Sequence, residues 1–377
     1  MPLRAVAEVN LSAIERNAAR LRERIGARRQ LCAVVKADGY GHGAAQASRA
    51  ALRGGASVLA VATALEAGEL RRDGLDAPIL ALGAISPDEL PVAVAARAEL
   101  TAWDLGFVEQ LRALGRSADA PIKVHVKLDT GLGRLGTREP GLALAVTRAV
   151  LDAAPALELA GVMTHFATSD SDQEFVAEQL AVFTPFVAEA RALATTDLTV
   201  HAANSAAILL TPASHFDMVR AGIALYGSDP MNADPADHGL EPALALRSYV
   251  AAVKPIVAGE STGYGRRFIA GHDTNMATLP IGYADGVPRA LANNCDVLIG
   301  GRRYPLRGMV SMDNITVDVG SAPAVRVGDL ATLIGVDGAE RQTAEDLARR
   351  IGTISHEVLC WISRRVPRVY HRDGSPE

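Results

Sequence analysis

The sequence predicts an α/β protein: a (β/α)8 TIM-like barrel followed by a mostly β C-terminal domain. Three observations carry that prediction. Up to about residue 228, short β-branched apolar runs alternate with stretches whose apolar residues recur at i, i+3, i+4 and i+7. The runs number eight over roughly the length of one barrel, which argues for a closed barrel rather than an open sheet. Beyond YGSDP the texture changes to strand-like runs punctuated by glycine turns.

Taken in order, the opening RAVAEVNL is itself strand-like, and residues 1–10 are expected to pack with the C-terminal domain. The barrel is expected over residues 11–230. Its strand runs are LCAVVKA (31–37), VLAVATA (58–64), ILALGA (79–84), ELTAWD (99–104), IKVHVKLDT (122–130), ELAGVMTHF (158–166), LTVHAANS (198–205) and FDMVRAGIALYG (216–227). SAIERNAARLRERIGA, SPDELPVAVAAR and QEFVAEQLAVFTPFVAEARALA carry the helical spacing between them. MNADPADHG, rich in Asp, Asn, Pro and Gly, reads as a linker. The β-rich domain is expected over 235–377, from LALRSYVAAVKPIV, MATLPIGYA, CDVLIGGRRYPL and ITVDVG, with one helix at TAEDLARRIG.

Composition narrows the function. A 377-residue chain with 49% hydrophobic residues and a net charge of −5 has an ordinary globular balance. Its Arg-rich stretches RLRERIGARR and GELRRDG mix in acids or follow helical spacing, so no nucleic-acid surface is expected. No signal peptide or membrane helix is read from the start, and three scattered cysteines (Cys32, Cys295, Cys360) match neither a metal cluster nor a disulfide framework. The expected setting is cytoplasmic and reduced. Of 38 basic residues only four are lysine: Lys36, Lys123, Lys127 and Lys254. Arginine serves wherever a generic positive charge suffices, so a retained lysine is a candidate for amine chemistry, which arginine performs poorly.

A barrel places its reactive groups at the carboxyl ends of its strands. On the strand assignment above, Lys36 closes the first run, Asp129 and Arg134 follow the fifth, and His165 closes the sixth. Ser205 follows the seventh, and Arg220, Gly222 and Ile223 lie at the eighth. AANSAA and RAGIALYG supply a hydroxyl, small residues and a glycine where barrels often bind phosphate.

With these strings on the page, the chain resembles the alanine racemases, pyridoxal-phosphate enzymes built of a barrel and a β domain. The resemblance runs in order through AVVKADGYGHG, HVKLDTGLGRLG, MTHFATSD, AANSAA, VRAGIALYG, STGYGRRF, LPIGYADG, MVSMDN and EVLCWISRRVPR. It implies that Lys36 carries pyridoxal phosphate as a Schiff base. Tyr40, Ser205, Gly222 and Ile223 hold the phosphate, Arg220 faces the pyridine nitrogen, and His165 lies beside the ring. It implies two bases, Lys36 and Tyr264 of the partner subunit in a homodimer, with Arg134 on the substrate carboxylate and Met312, Asp313 and Tyr283 lining the substrate. Lys127 is implied to be carbamylated, its new carboxylate orienting Arg134. The implied reaction interconverts L- and D-alanine, supplying D-alanine for peptidoglycan.

One position departs from the pattern. Where the family usually places a tyrosine ahead of EVLC, near the phosphate, this chain has His356. Histidine still hydrogen-bonds a phosphate but is shorter, so a roomier pocket admitting serine or another small polar amino acid is a second expectation. A decarboxylase of related fold lacks the GYGRRF tyrosine, and a non-catalytic carrier built as a lone barrel lacks the extra domain; both remain alternatives.

Overall fold

The computed structural model describes residues 3–194, 196–321 and 324–377. Strand β1 (Ala5–Asn10) is followed by eight strands that close into a parallel barrel: β2 (Gln30–Val34), β3 (Val58–Val61), β4 (Ile79–Ala81), β5 (Ala98–Ala102), β6 (Ile122–Lys127), β7 (Leu157–Met163), β8 (Thr199–His201) and β9 (Met218–Ala221). Closure is made by β9 pairing with β2, Cys32 lying opposite Arg220. Barrel strands are covered on both faces, which is why β3, β4 and β9 are buried along their whole length and read as unbroken apolar or small runs. All eight expected runs therefore become barrel strands, each shorter than its apolar string.

The β domain begins with β10 (Leu244–Tyr249). β1 lies between β10, antiparallel, and Arg368–Arg372, parallel, in an eight-stranded sheet. A three-stranded sheet of Ala252–Ile256, Thr274–Leu279 and Ile315–Asp318 stands beside a small ribbon of Ser261–Thr262 and Phe268–Ile269. The run LALRSYVAAVKPIV is thus broken in two, its halves entering different sheets. Contacts divide the chain into two compact units. One is Glu15–Gly39 with Ala44–Leu225; the other joins the N-terminal segment as far as Ile14, Tyr40–Gly43 and Tyr226–Glu377. Among the described residues no helix is long and apolar enough to cross a membrane.

The segment after β2 departs from the simple strand-end expectation. The strand stops at Val34, and Lys36 opens a turn in which Ala37, Asp38, Gly39 and Tyr40 all have φ between 52° and 61°. Left-handed backbone costs an L-residue roughly 1–2 kcal/mol, so this turn needs external support. Glu66 supplies it: one carboxylate oxygen accepts from Ala37 N (2.7 Å) and the other from Ala62 N (2.7 Å) and Thr63 N (3.2 Å). Asp38 in turn caps the next helix, accepting from Ala44 N at 2.9 Å. Gly41 (φ +82°) is required by close approach, since a Cβ there would lie 2.5 Å from Leu359 O. Glu66→Ala should therefore lower stability by about 1–3 kcal/mol, because three N–H groups, two of them half-buried, lose their acceptor. Denaturant unfolding checks this, and a loss below about 0.5 kcal/mol would show the turn to be self-supporting.

Candidate active site

The carboxyl rim of the barrel gathers most of the residues singled out by sequence. Arg220, in β9, is only 2% exposed and makes four side-chain bonds. Its Nη1 donates to His201 Nδ1 (2.8 Å), and its Nη2 lies within bonding distance of Thr164 O (2.9 Å), Ala202 O (2.9 Å) and His165 Nδ1 (3.0 Å). A guanidinium cannot accept, so both imidazoles must present a lone pair to it. Burial, Arg220 and Lys127 together push the His165 imidazole well below its usual range; burial, Arg220 and His125 do the same to His201. Both rings are therefore neutral. Burial pushes Arg220 itself down to about 10, the Cys32 thiol opposing and Arg134 adding to the fall, so it stays a cation near neutral pH.

Lys127, the last residue of β6, is 3% exposed. Burial first, then the charges of Arg220, Arg134 and Lys36 against the opposing pull of Asp129, bring its amine down to about 8. Asp129 is engaged elsewhere: it accepts from Gly131 N (3.1 Å) and Gly133 N (3.0 Å) and pairs with Arg138 (3.2 Å). Burial would raise that carboxyl, but the two backbone bonds and Arg138 hold it below the ordinary carboxylate value. The loop it braces carries Arg134, which is exposed on the rim and so open to a ligand anion. Lys36 is half-buried at the same rim, close enough for its charge to act on both Lys127 and His165. Four cationic groups gathered at one end of the barrel give that end a positive field, which favours anions.

After β8, Asn204 caps the short helix Ser205–Leu210. Ser205 Oγ accepts from Gly222 N (2.9 Å) and Ala224 N (3.3 Å), which ties the loop after β8 to the one after β9 and places Ile223 between the two donors. A hydroxyl and two backbone N–H groups thus meet where β8 and β9 end.

The remaining predicted residues belong to the other unit. Tyr40 packs its ring against Tyr226 (centroids 5.1 Å) and His356 (6.0 Å). Tyr283, Met312 and Asp313 come together because Tyr283 N donates to Ser311 O (2.9 Å) and Ala284 N to Met312 O (3.0 Å). Arg365 fixes Asp313 at 2.5 Å while also pairing with the buried Asp285 at 2.8 Å. Tyr264 stands on a separate turn, Tyr264–Arg266, and is 74% exposed, with Met312 at 51% and Tyr283 at 42%. Sequence reasoning passed over His125, His201 and Glu99. The available signal was His125 two residues before Lys127 on the same strand face, and a lone carboxylate inside the apolar run AELTA.

Comparison with known proteins accords with this geometry. Residues 9–230 match the family model for the alanine racemase N-terminal domain, and residues 243–370 that for the C-terminal domain. Alanine racemase of Nostoc sp. is 41% identical over 97% of this chain and 95% of its own length. That of Symbiobacterium thermophilum is 42% identical over 97% and 96%. Among solved structures, alanine racemase from D-cycloserine-producing Streptomyces lavendulae superposes with a TM-score of 0.93 at 36% identity, covering 98% of each chain. The Bacillus anthracis enzyme with bound L-Ala-P does so with a TM-score of 0.91 at 35% identity, covering 100% of this chain and 97% of its own. Both halves of the chain match the family's models and its whole length matches these relatives: it belongs to the alanine racemase family.

Proposed function

We propose that the protein interconverts L- and D-alanine in the cytoplasm, using pyridoxal phosphate at the barrel rim, and so supplies D-alanine for peptidoglycan. The observation that carries this reading is the grouping of a rim amine, Lys36, with the buried guanidinium of Arg220, flanked by Ser205 and the two backbone N–H groups bonded to it. These residues fit that cofactor. Lys36 would hold its aldehyde carbon; Ser205, Gly222, Ile223, Tyr40 and His356 would take the phosphate; Arg220 would face the ring nitrogen and His165 the ring. When bound, the cofactor acts as an electron sink that acidifies the substrate Cα–H. Because Arg220 keeps its proton, it would offer the cofactor's ring nitrogen a hydrogen bond rather than a proton, leaving that nitrogen unprotonated.

Racemisation removes a proton from one face of Cα and returns one to the other, so a base is needed on each face. Lys36 Nζ serves one. Tyr264 of the partner subunit serves the other in a homodimer with shared sites; the exposure of Tyr264, Tyr283 and Met312 supports a surface that a second copy covers. Arg134 holds the substrate carboxylate through its forked donors. Met312, Asp313 and Tyr283 line the substrate, Asp313 being held rigid by Arg365. Lys127 is the carbamylation site. Its neutral amine adds to carbon dioxide with loss of one proton, and the resulting anion relieves the repulsion among Arg220, Arg134 and Lys36 while orienting Arg134.

A second reading, broadened selectivity toward serine or another small polar amino acid, is favoured by His356. Its imidazole stands beside the Tyr40 ring, centroids 6.0 Å apart, and is shorter than a phenol in that place would be.

The purified protein should be yellow and should abolish the optical rotation of L-alanine. Lys36→Ala should reduce racemisation to background, and Tyr264→Phe should lower kcat by about 10²–10⁴-fold while Cα–H exchange persists from only one enantiomer. Yellow protein that racemises nothing would leave the carrier or decarboxylase readings. Under labelled carbon dioxide, a carbamate carbon signal is expected that Lys127→Met removes. It should fade as pH falls through about 8, where the amine becomes protonated and cannot add. Replacing His356 by tyrosine should raise the alanine-to-serine ratio of kcat/KM; an unchanged ratio disposes of the second reading.

A further inference from the structure

The interior of the barrel holds a hydrogen-bonded chain that reaches well beyond the rim. His201 Nε2 lies 2.9 Å from His125 Nδ1, and His125 Nε2 lies 2.9 Å from a carboxylate oxygen of Glu99. With the Arg220–His201 bond of 2.8 Å, four side chains from β9, β8, β6 and β5 are joined. His201 and His125 are 0% and 2% exposed, in a region that barrels usually fill with branched apolar residues. Glu99, near the start of β5, is at the opposite end of the barrel from the rim, its side chain 16% exposed and within 3.8 Å of the exposed Lys123.

The chain has only one consistent set of protons. Arg220 donates, so His201 Nδ1 accepts and Nε2 carries the hydrogen. That hydrogen points at His125 Nδ1, which must also accept, leaving the His125 hydrogen on Nε2, directed at Glu99. Every bond therefore runs the same way, from the cation at one end to the carboxylate at the other. The bonds of Arg220 go to two carbonyls and two imidazoles, none of them a carboxylate. A buried cation with only neutral acceptors is costly, and polarised hydrogen-bond chains strengthen each member.

Two backbone features serve this chain. β7 lies between β6 and β8, and its Gly161 faces both neighbours; a Cβ there would strike His125 Nδ1 and come within 2.5 Å of Thr199 O. The missing side chain is what lets His125 reach His201 past the intervening strand. The pairing of β6 with β7 also shifts register between Val124 and His125, and bulges of this kind re-aim a side chain.

We propose that Glu99 is a positioning residue for the reaction: through His125 and His201 it fixes the tautomers that hold Arg220 and supplies the remote counter-charge to its guanidinium. This rests on the placement of Arg220 at the cofactor ring nitrogen proposed above. The test uses the full-length holoenzyme with nitrogen-15-labelled histidine, as wild type, Glu99→Gln and Glu99→Leu. The wild type should show both His125 and His201 neutral and protonated at Nε2. Glu99→Leu should shift the His201 ring signals and lower kcat roughly tenfold at unchanged KM, the scale of second-layer partners elsewhere. Glu99→Gln, whose amide oxygen still accepts, should restore the spectra and most of kcat. A wild-type His201 that is an imidazolium or protonated at Nδ1 overturns the proposal, and that measurement stands even if Glu99→Leu does not fold. Unchanged His201 signals and unchanged kcat in Glu99→Leu overturn it equally. A wild type that racemises no amino acid would overturn the functional reading instead, since the ring spectra test the chain without it.

Discussion

The barrel is organised around the burial of one guanidinium. Taking Arg220 out of water is tolerable only if its donors meet acceptors with good geometry, and a parallel barrel offers few free ones because its carbonyls pair between strands. The available carbonyls are those at strand ends, Thr164 and Ala202, and the structure uses both. The other donors require side chains, and neutral imidazoles suit them because a ring nitrogen accepts while the opposite one passes the polarity on. His165 and His201 are thereby fixed in protonation state by a neighbour that cannot yield its proton.

The same cation shapes the electrostatics of the rim. Lys127 stands within its field, and Arg134 and Lys36 act on the same amine, so positive charge is concentrated where the strands end. Like charges at close quarters favour the neutral form of whichever group can give up a proton. Arginine cannot, so the strain falls on the lysine amine and the histidines. Such a concentration of positive charge attracts anions and keeps an amine in reach of its reactive form, which are the two properties that a carboxylate substrate and an amine chemistry require. The scarcity of lysine elsewhere in the chain fits this division of labour, with arginine making most of the surface ion pairs among the described residues.

Much of the architecture was legible without coordinates. Eight apolar runs separated by amphipathic stretches define a barrel, because strand and helix periods differ and connection lengths are short. Strand ends then predict the rim, which is why Lys36, His165, Ser205 and Arg220 could be named from their positions in the runs, whereas Lys127 was marked by the scarcity of lysine and by the family resemblance. Less legible were features set by the third dimension. The left-handed turn after β2 depends on Glu66 reaching back from a later helix, and no local propensity in Ala37 or Asp38 announces it. The split of LALRSYVAAVKPIV between two sheets is likewise a matter of partners rather than of composition. Glu99 and His125 were overlooked because a polar residue inside a strand run looks like an outward-facing one until the strand's neighbours are known.

Sequence by itself determined the order of elements, the residue types available at each strand end and the family to which they belong, since these depend on local periodicity and on motifs short enough to read along the chain. Tertiary structure decided which of those groups share a field, which donors find acceptors, and how a glycine on one strand makes room for a histidine on the next. Those outcomes depend on distances between residues far apart in sequence, where a difference of an ångström separates a hydrogen bond from a buried, uncompensated charge.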